Sequence, residues 1–213
     1  MIKFFKLLSI LLLVTSFAKG EKINVFEFTN EELEKLDKRQ VKGETIWTLG
    51  SNEKGNYIKA EANAAGSGLG KKVEIDLNKT PYLNITWKIE KDLPNIIENS
   101  KKGHDYAARV FVIKKTGMTP LSNRALNYVF SSNNDVGQSW KSPYTKQSVD
   151  YILSTTKEHN NQWVTVKVNV KEHFKKFHNL NVDELNGVAI MTDTDNSELT
   201  AIAYYQNINF TAN

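Results

Sequence analysis

The chain has 213 residues, a formal net charge of +4 and no cysteine. The lack of cysteine excludes a disulfide framework, a thiol nucleophile and a cysteine-ligated metal site. Beyond the first twenty residues no run of lysine and arginine is interleaved with aromatic residues, so the sequence does not favour nucleic-acid binding.

Residues 1–20 have the pattern of an export signal, which predicts that they are removed from the mature protein. Lys3 and Lys6 precede an apolar run at residues 7–14, and Ala18 and Gly20 supply small residues where cleavage is expected. That run is shorter than the roughly 20 residues that a transmembrane helix needs, although a retained anchor is the alternative. We therefore predict an exported, periplasmic protein with no membrane span after signal removal.

Residues 21–213 are predicted to form a single β-sandwich domain. Segments typical of strands recur between turn residues, at 23–28, 45–49, 56–62, 68–75, 82–89, 105–114, 125–131, 149–154, 163–170, 187–192 and 201–210. Two helices are predicted, one at 30–36, which starts with Asn30 and two glutamates, and one at 170–177. So many strands with so little helix predict an all-β fold, an antiparallel β-sandwich or jelly roll with one or two short helices.

The strand predicted at residues 105–114 carries charges into an otherwise apolar segment. Alternation places Asp105, Ala107 and Arg109 on one face, and the second half is apolar on both faces, as in a central strand. A buried charge needs a partner, because an isolated buried ion is very costly. The neighbouring alanines leave room that larger side chains would fill. The pattern predicts a ligand-binding patch on one sheet face.

Residues 191–196 end an apolar strand with two carboxylates that share a face, Asp193 and Asp195. The pair could act as acid and base in glycoside cleavage, or could offer oxygen ligands to calcium. The alternative is a polar strand end, in which Asp195 and Asn196 form the turn and Asp193 pairs with Arg109 across the sheet. The spacing does not fit an EF-hand loop.

Aromatic side chains cluster between residues 128 and 144. Sugar rings stack on aromatic rings while amides and carboxylates bind the hydroxyl groups, so Tyr128, Trp140 and Tyr144 are candidate ligand contacts. Tyr128 and Phe130 share a face, and both could equally be core residues. Trp140 and Tyr144 lie among glycine, serine and proline, and we expect Trp140 to be exposed.

The remaining candidate motifs are weaker. His104 could act as a general base, but it points away from Asp105 on a strand and is more simply a loop residue. The other histidines lack zinc spacing, and we predict no metal and no cofactor. The glycine-rich stretch 66–70 is not a phosphate-binding loop, and close backbone packing or a bulge explains it better.

The order of elements in the C-terminal third resembles the end of jelly-roll domains with a galactose-binding-type fold. A closer likeness covers most of the mature chain and rests on the segments at 65–69, 80–83, 105–110, 127–129, 136–137, 142–144 and 188–196. Together these resemble the domain-of-unknown-function family DUF3047, found in exported bacterial proteins. His104 stands where that family usually has an acid, and Phe130 where it usually has tryptophan.

The favoured hypothesis is that the protein binds a glycan or another small polar ligand on one sheet face. The predicted contacts are Asp105, Arg109, Tyr128, Trp140, Tyr144, Asp193, Asp195 and Asn196. One alternative is an envelope enzyme that acts on a saccharide through Asp193 or Asp195. The other is a structural envelope protein whose ion pair only stabilises the fold. The sequence predicts no oligomeric state.

Overall fold

The protein is a sandwich of two β-sheets, seen in a computed structural model that describes residues 21–119 and 122–213. Within these ranges the strands are β1 (Lys22–Asn24), β2 (Asp37–Lys42), β3 (Ile46–Asn52), β4 (Gly55–Asn63), β5 (Gly66–Lys71), β6 (Ile75–Asp76), β7 (Tyr82–Lys91), β8 (Ala108–Lys114), β9 (Arg124–Ser131), β10 (Ser139–Lys141), β11 (Ser148–Thr155), β12 (Val164–Asn169), β13 (Glu184–Leu185), β14 (Gly187–Asp193) and β15 (Thr200–Thr211). The helices are α1 (Asn30–Lys35) and α2 (Val170–His178), and a 3-10 turn spans Lys101–Gly103.

Sheet 1 has the strand order β12-β7-β15-β4-β3, and β1 pairs with the end of β15. Sheet 2 has the order β10-β11-β9-β8-β14-β5-β2, and β6 and β13 form a separate small pair. This confirms the predicted all-β sandwich with two short helices. Pairing is antiparallel except between β9 and β11, which run parallel, so the connection between them returns to the same end of the sheet.

The core lies between the sheets because alternate residues of each strand point inward. Ile85, Trp87 and Tyr205 of sheet 1 and Val110 and Tyr128 of sheet 2 are all at most 1% exposed. These are large side chains without charge, and the sandwich depends on burying them, since the chain has no disulfide to replace that contribution.

Two polar side chains of the core are satisfied by groups on the other sheet. The Trp87 indole donates to Ser154 Oγ at 3.0 Å. The Tyr205 hydroxyl donates to the carbonyl of Met191 at 2.6 Å and accepts from the backbone amide of Arg109 at 3.2 Å. Because these bonds have fixed directions, they set the position of one sheet on the other as well as satisfying buried groups.

The sequence predicted most strands within a few residues, but the strand expected at 105–114 begins only at Ala108. Residues 105–107 are irregular, so alternation does not place Asp105 on the Arg109 face of a strand, as the sequence predicted. The sequence also missed β2 and β10, which are short and lie at the two edges of sheet 2. Their exposed polar residues carry little hydrophobic alternation.

Of the two explanations expected for the glycines of β5, the structure confirms close backbone packing, and the bulge lies in the neighbouring strand β2. A Cβ added at Gly68 would lie 2.9 Å from the carbonyl oxygen of Ile190, closer than packing allows. The register between β2 and β5 shifts between Gln40 and Lys42, opposite Gly66. Glycine is therefore needed here by the neighbouring backbone.

Helix α2 packs on the sandwich through Phe174, which is fully buried. Asn169 caps its start by accepting from the amide of Glu172, and Asn179 ends it in the left-handed conformation. His173 packs against the rings of Tyr128 and Tyr151, and burial lowers its pKa to about 4. At neutral pH this histidine is therefore an uncharged packing residue.

No helix within residues 21–119 or 122–213 combines the length and hydrophobicity needed to cross a membrane. The export signal predicted at residues 1–20 lies outside the described residues.

Candidate functional site

The ion pair that the sequence predicted between Arg109 and Asp193 is confirmed. Arg109 Nε donates to Asp193 Oδ1 at 2.9 Å, and a terminal guanidinium nitrogen donates to Oδ2 at 2.5 Å. Both side chains are 4% exposed, and they lie on the outer face of sheet 2, where β8 and β14 are neighbours. The two-point contact is the geometry that fixes a carboxylate most firmly.

The ion pair combines a desolvation cost with a charge attraction. Burial raises the pKa of the Asp193 carboxyl even though the positive charge of Arg109 opposes that shift. The same attraction acts on the other partner, since the neighbouring carboxylates raise the pKa of Arg109 against the effect of its burial. Loss of one partner would leave the other charged, buried and unpaired.

A polar layer covers the outer face of sheet 2 around this pair. The Tyr106 ring lies 4.7 Å from the Arg109 guanidinium, which also donates to the carbonyl of His104 at 2.7 Å. His104 Nε2 lies 2.7 Å from Asp150, whose other oxygen accepts from Asn127 at 2.6 Å. All of these side chains are buried, so the segment before β8 is fastened to the sheet by hydrogen bonds.

This layer confirms that His104 is a loop residue that does not pair with Asp105. The carboxylate that orients it is Asp150, which sequence reasoning missed. The sequence signal for Asp150 was an aspartate within the apolar run of β11. In the sheet, β11 pairs with β9, which places Asp150 opposite Asn127. Glu98 was also missed; it is 1% exposed and accepts from Ser131 at 2.6 Å and from the Ser132 amide at 2.9 Å.

Asp105 binds the turn between β14 and β15. It accepts from the Asn196 side chain at 2.8 Å and from the Ser197 amide at 2.6 Å. The hydroxyl of Tyr144 then lies 2.5 Å from Asn196 Oδ1, and its ring is 56% exposed. Six of the eight predicted site residues thus meet at one end of sheet 2: Asp105, Arg109, Tyr144, Asp193, Asp195 and Asn196.

Three carboxylates of this group form a cluster. Asp105, Asp193 and Asp195 bring one oxygen each to within 4.8 Å of one another. Gly66 permits this approach, because a Cβ there would lie 2.8 Å from Asp193 Cβ and 3.1 Å from Asp195 Oδ1. These are the residues that could hold a hard cation, although Arg109 already supplies positive charge to Asp193. Asp195 is half-buried and retains free acceptor capacity.

An open pocket of about 420 Å³ adjoins the cluster. It is lined by Pro94, Asn95, Ile96, Ile97, Ser100, Lys102, Gly103, Asn196, Ser197 and Leu199. Asn196 lines the pocket and also contacts the Tyr144 hydroxyl. We call Tyr144, Asp195, Asn196 and Lys102, with this pocket, the rim site.

Two of the predicted contacts lie elsewhere. Tyr128 is fully buried between the sheets, so its prediction as a ligand contact is corrected: it is a core residue. Trp140 lies on the outer face of sheet 2 but is half-buried against Tyr106, Val129 and Ile152. The expectation that its neighbours would leave it exposed is also corrected, because short strand β10 folds it onto the sheet.

The match to a family model establishes the family of the chain. The model described as "Protein of unknown function (DUF3047)" matches residues 31–209, and the chain belongs to this family. Comparison with curated proteins gives no match.

Solved structures of similar fold include carbohydrate-binding modules, and glycoside hydrolases also match, among them a cellulase derived from Cel12A of Rhodothermus marinus, 10% identical with a TM-score of 0.45 over 83% of this chain and 96% of that chain. A family 30 module of a cellulosomal cellulase of Clostridium thermocellum is 9% identical, with a TM-score of 0.51, over 90% of this chain and 98% of that chain. A family 11 module from the same organism, in complex with a β-1,3-1,4-mixed-linked tetrasaccharide, is 11% identical, with a TM-score of 0.47, over 91% of this chain and 96% of that chain. At such identity the likeness describes the fold alone: a jelly-roll β-sandwich.

The Arg109–Asp193 pair predicts strong thermodynamic coupling. Asp193→Leu or Arg109→Met alone should lower the free energy of unfolding by about 3–5 kcal/mol, because the remaining partner is left buried without its counter-charge. The double variant Arg109→Met/Asp193→Leu should lose less than the sum of the two single losses. Urea unfolding of the three variants measures the coupling, and simple additivity would contradict direct pairing.

Trp140 and Tyr144 should differ in their effect on stability. Trp140→Ala removes a packed indole and should cost about 2–4 kcal/mol, towards the lower end for a large aromatic residue. Tyr144→Ala removes a mostly exposed ring and should cost under about 1 kcal/mol. Thermal melts of both variants test this, and equal melting temperatures would mean that the indole packing adds no stability.

Proposed function

We propose that the protein binds a saccharide at the rim site. The observation that carries this proposal is that the exposed Tyr144 ring and the half-buried Asp195 carboxylate lie beside Asn196, which also lines a pocket. A sugar offers an apolar ring face for stacking and hydroxyl groups that donate to carboxylates. The similar fold of the family 30 carbohydrate-binding module is consistent with this role.

Hydrogen bonds of buried residues hold the rim site in a fixed conformation. Asp105 holds Asn196 and Ser197 in place, and Tyr144 in turn contacts Asn196 and the carbonyl of Lys101 at 2.9 Å. Two residues in the adjoining turns, Ala64 and Glu198, adopt positive φ angles of 47° and 59°. Strain of this kind persists only where the surroundings fix the backbone, and a fixed backbone lowers the entropy lost on binding.

The enzymatic alternative is weaker on this geometry. Both oxygens of Asp193 are bound by Arg109, so this residue is not free to act as a second acid or base beside Asp195. Binding without turnover is therefore the function we favour.

Tyr144→Ala and Asp195→Asn should each weaken saccharide binding at least about tenfold, which corresponds to about 1.4 kcal/mol. Affinity gel electrophoresis against purified cell-wall polymer and neutral glucans measures the loss, with and without a calcium chelator. Ile46→Ala, an exposed apolar truncation on sheet 1, is the matched control. If Asp195→Asn keeps its affinity and abolishes release of reducing sugar, the protein is an enzyme and this proposal is wrong.

We further propose that the protein is exported to the periplasm after loss of residues 1–20, because charge, apolar run and small residues follow one another as in a signal. Intact-mass measurement on protein from the native envelope should show a mature chain that begins at Lys19 or Glu21. Retention of Met1 would overturn this.

A further inference from the structure

Three aromatic side chains form a group on the outer face of sheet 1. Tyr57 lies on β4, Tyr204 on β15, and Trp163 directly before β12. The ring centroids are 5.6 Å apart for Tyr57 and Tyr204, and 5.9 Å from Trp163 to each of the other two. Each side chain is half-buried, so part of every ring remains accessible to solvent.

The local sequence keeps these rings together. Tyr57 is paired with Gly50 of β3, and a Cβ at that position would lie 2.4 Å from the tyrosine ring. Ile58 and Tyr205, the next residues on the two strands, are fully buried in the core, so alternation fixes Tyr57 and Tyr204 on the outer side. The group is thus built by the sheet and does not depend on a loop.

Lys88 of β7 lies among the rings. Its Nζ is 4.2 Å from the centroid of Tyr204 and 5.9 Å from that of Trp163. Within residues 21–119 and 122–213, Lys88 has no carboxylate within ion-pairing distance. The acidic side chains nearby have other partners: Glu61 pairs with Lys59 at 3.0 Å, and Glu90 accepts from the Tyr204 hydroxyl at 2.5 Å.

An ammonium group held against aromatic rings keeps its charge and its hydrogen-bond donors. A ligand that combines an apolar ring face with a carboxylate would match both parts of this surface: the face stacks on an aromatic ring, and the carboxylate pairs with Lys88. A pyranose ring that carries a carboxylate at C6 has this composition. A neutral sugar would leave the ammonium without a counter-charge.

We propose that Tyr57, Lys88, Trp163 and Tyr204, the aromatic face, bind an acidic saccharide of the uronate class. This surface lies on the opposite sheet from the rim site and shares no residue with it. The protein then has two binding surfaces, which could hold two glycan chains at once. The aromatic face does not depend on the function proposed for the rim site.

Affinity gel electrophoresis of the mature chain in polygalacturonate, beside a neutral β-glucan, tests the proposal. Polygalacturonate should retard the parent protein, and Lys88→Met should weaken that binding at least tenfold. Lys176→Met is the matched control, because it removes an equal charge that lies 5.0 Å from the Phe177 ring on α2. Trp163→Ala should also weaken binding, and Trp163→Phe should restore part of it if the alanine variant melts early.

The proposal would be overturned if polygalacturonate did not retard the parent protein. It would also be overturned if Lys88→Met and Lys176→Met lost equal affinity for polygalacturonate, because that result would indicate general charge attraction. Equal retardation of the parent and of Lys88→Met by polygalacturonate would also overturn it, since the ammonium would then contribute nothing to binding. Tyr144→Ala should leave polygalacturonate binding unchanged. A loss there would place this ligand at the rim site instead.

Discussion

The buried guanidinium of Arg109, on the outer face of a central strand, needs a counter-charge and hydrogen-bond acceptors. The residues that supply them fix the structure at one end of sheet 2. Asp193 of the neighbouring strand meets the guanidinium with both oxygens, while the carbonyl of His104 and the ring of Tyr106 complete its surroundings. The Arg109 guanidinium that Asp193 neutralises also binds the His104 carbonyl, and this contact holds the segment before β8 over the sheet. Asp105, which follows His104 directly, is in turn placed where it can bind the β14–β15 turn.

The buried residues and the residues of the proposed binding site lie at opposite ends of this series of contacts. The inner residues, Arg109, Asp193, His104 and Asp150, are enclosed and satisfy one another, which makes them poor ligand contacts. The outer residues, Tyr144 and Asp195, keep exposed ring surface or free acceptors. Accessible residues supported by a rigid inner layer lose less conformational entropy when a ligand binds, because they are already ordered.

The sequence predicted the sandwich, because alternation in strands such as β7 and β15 is strong and the turns between them are marked. It also predicted the Arg109–Asp193 pair, because a charge in an apolar strand limits its partners to a few residues. It could not predict that residues 105–107 leave the strand, since alternation continues through them. Nor could it predict that Asp150 orients His104 or that Tyr57, Trp163 and Tyr204 meet. Those contacts join distant segments and depend on sheet order, which local pattern does not contain.

The pairing of β1 with β15 has a consequence for how the protein acquires its structure. Lys22 lies opposite Thr211, and β15 is flanked by β7 and β4 in the interior of sheet 1. Sheet 1 therefore cannot close until the last strand has been synthesised, and its contacts span nearly the whole described sequence. Topologies dominated by such distant pairings fold slowly. Folding of this sandwich is therefore expected to be slow, because β4, β7 and β15 must meet before the interior of sheet 1 is complete.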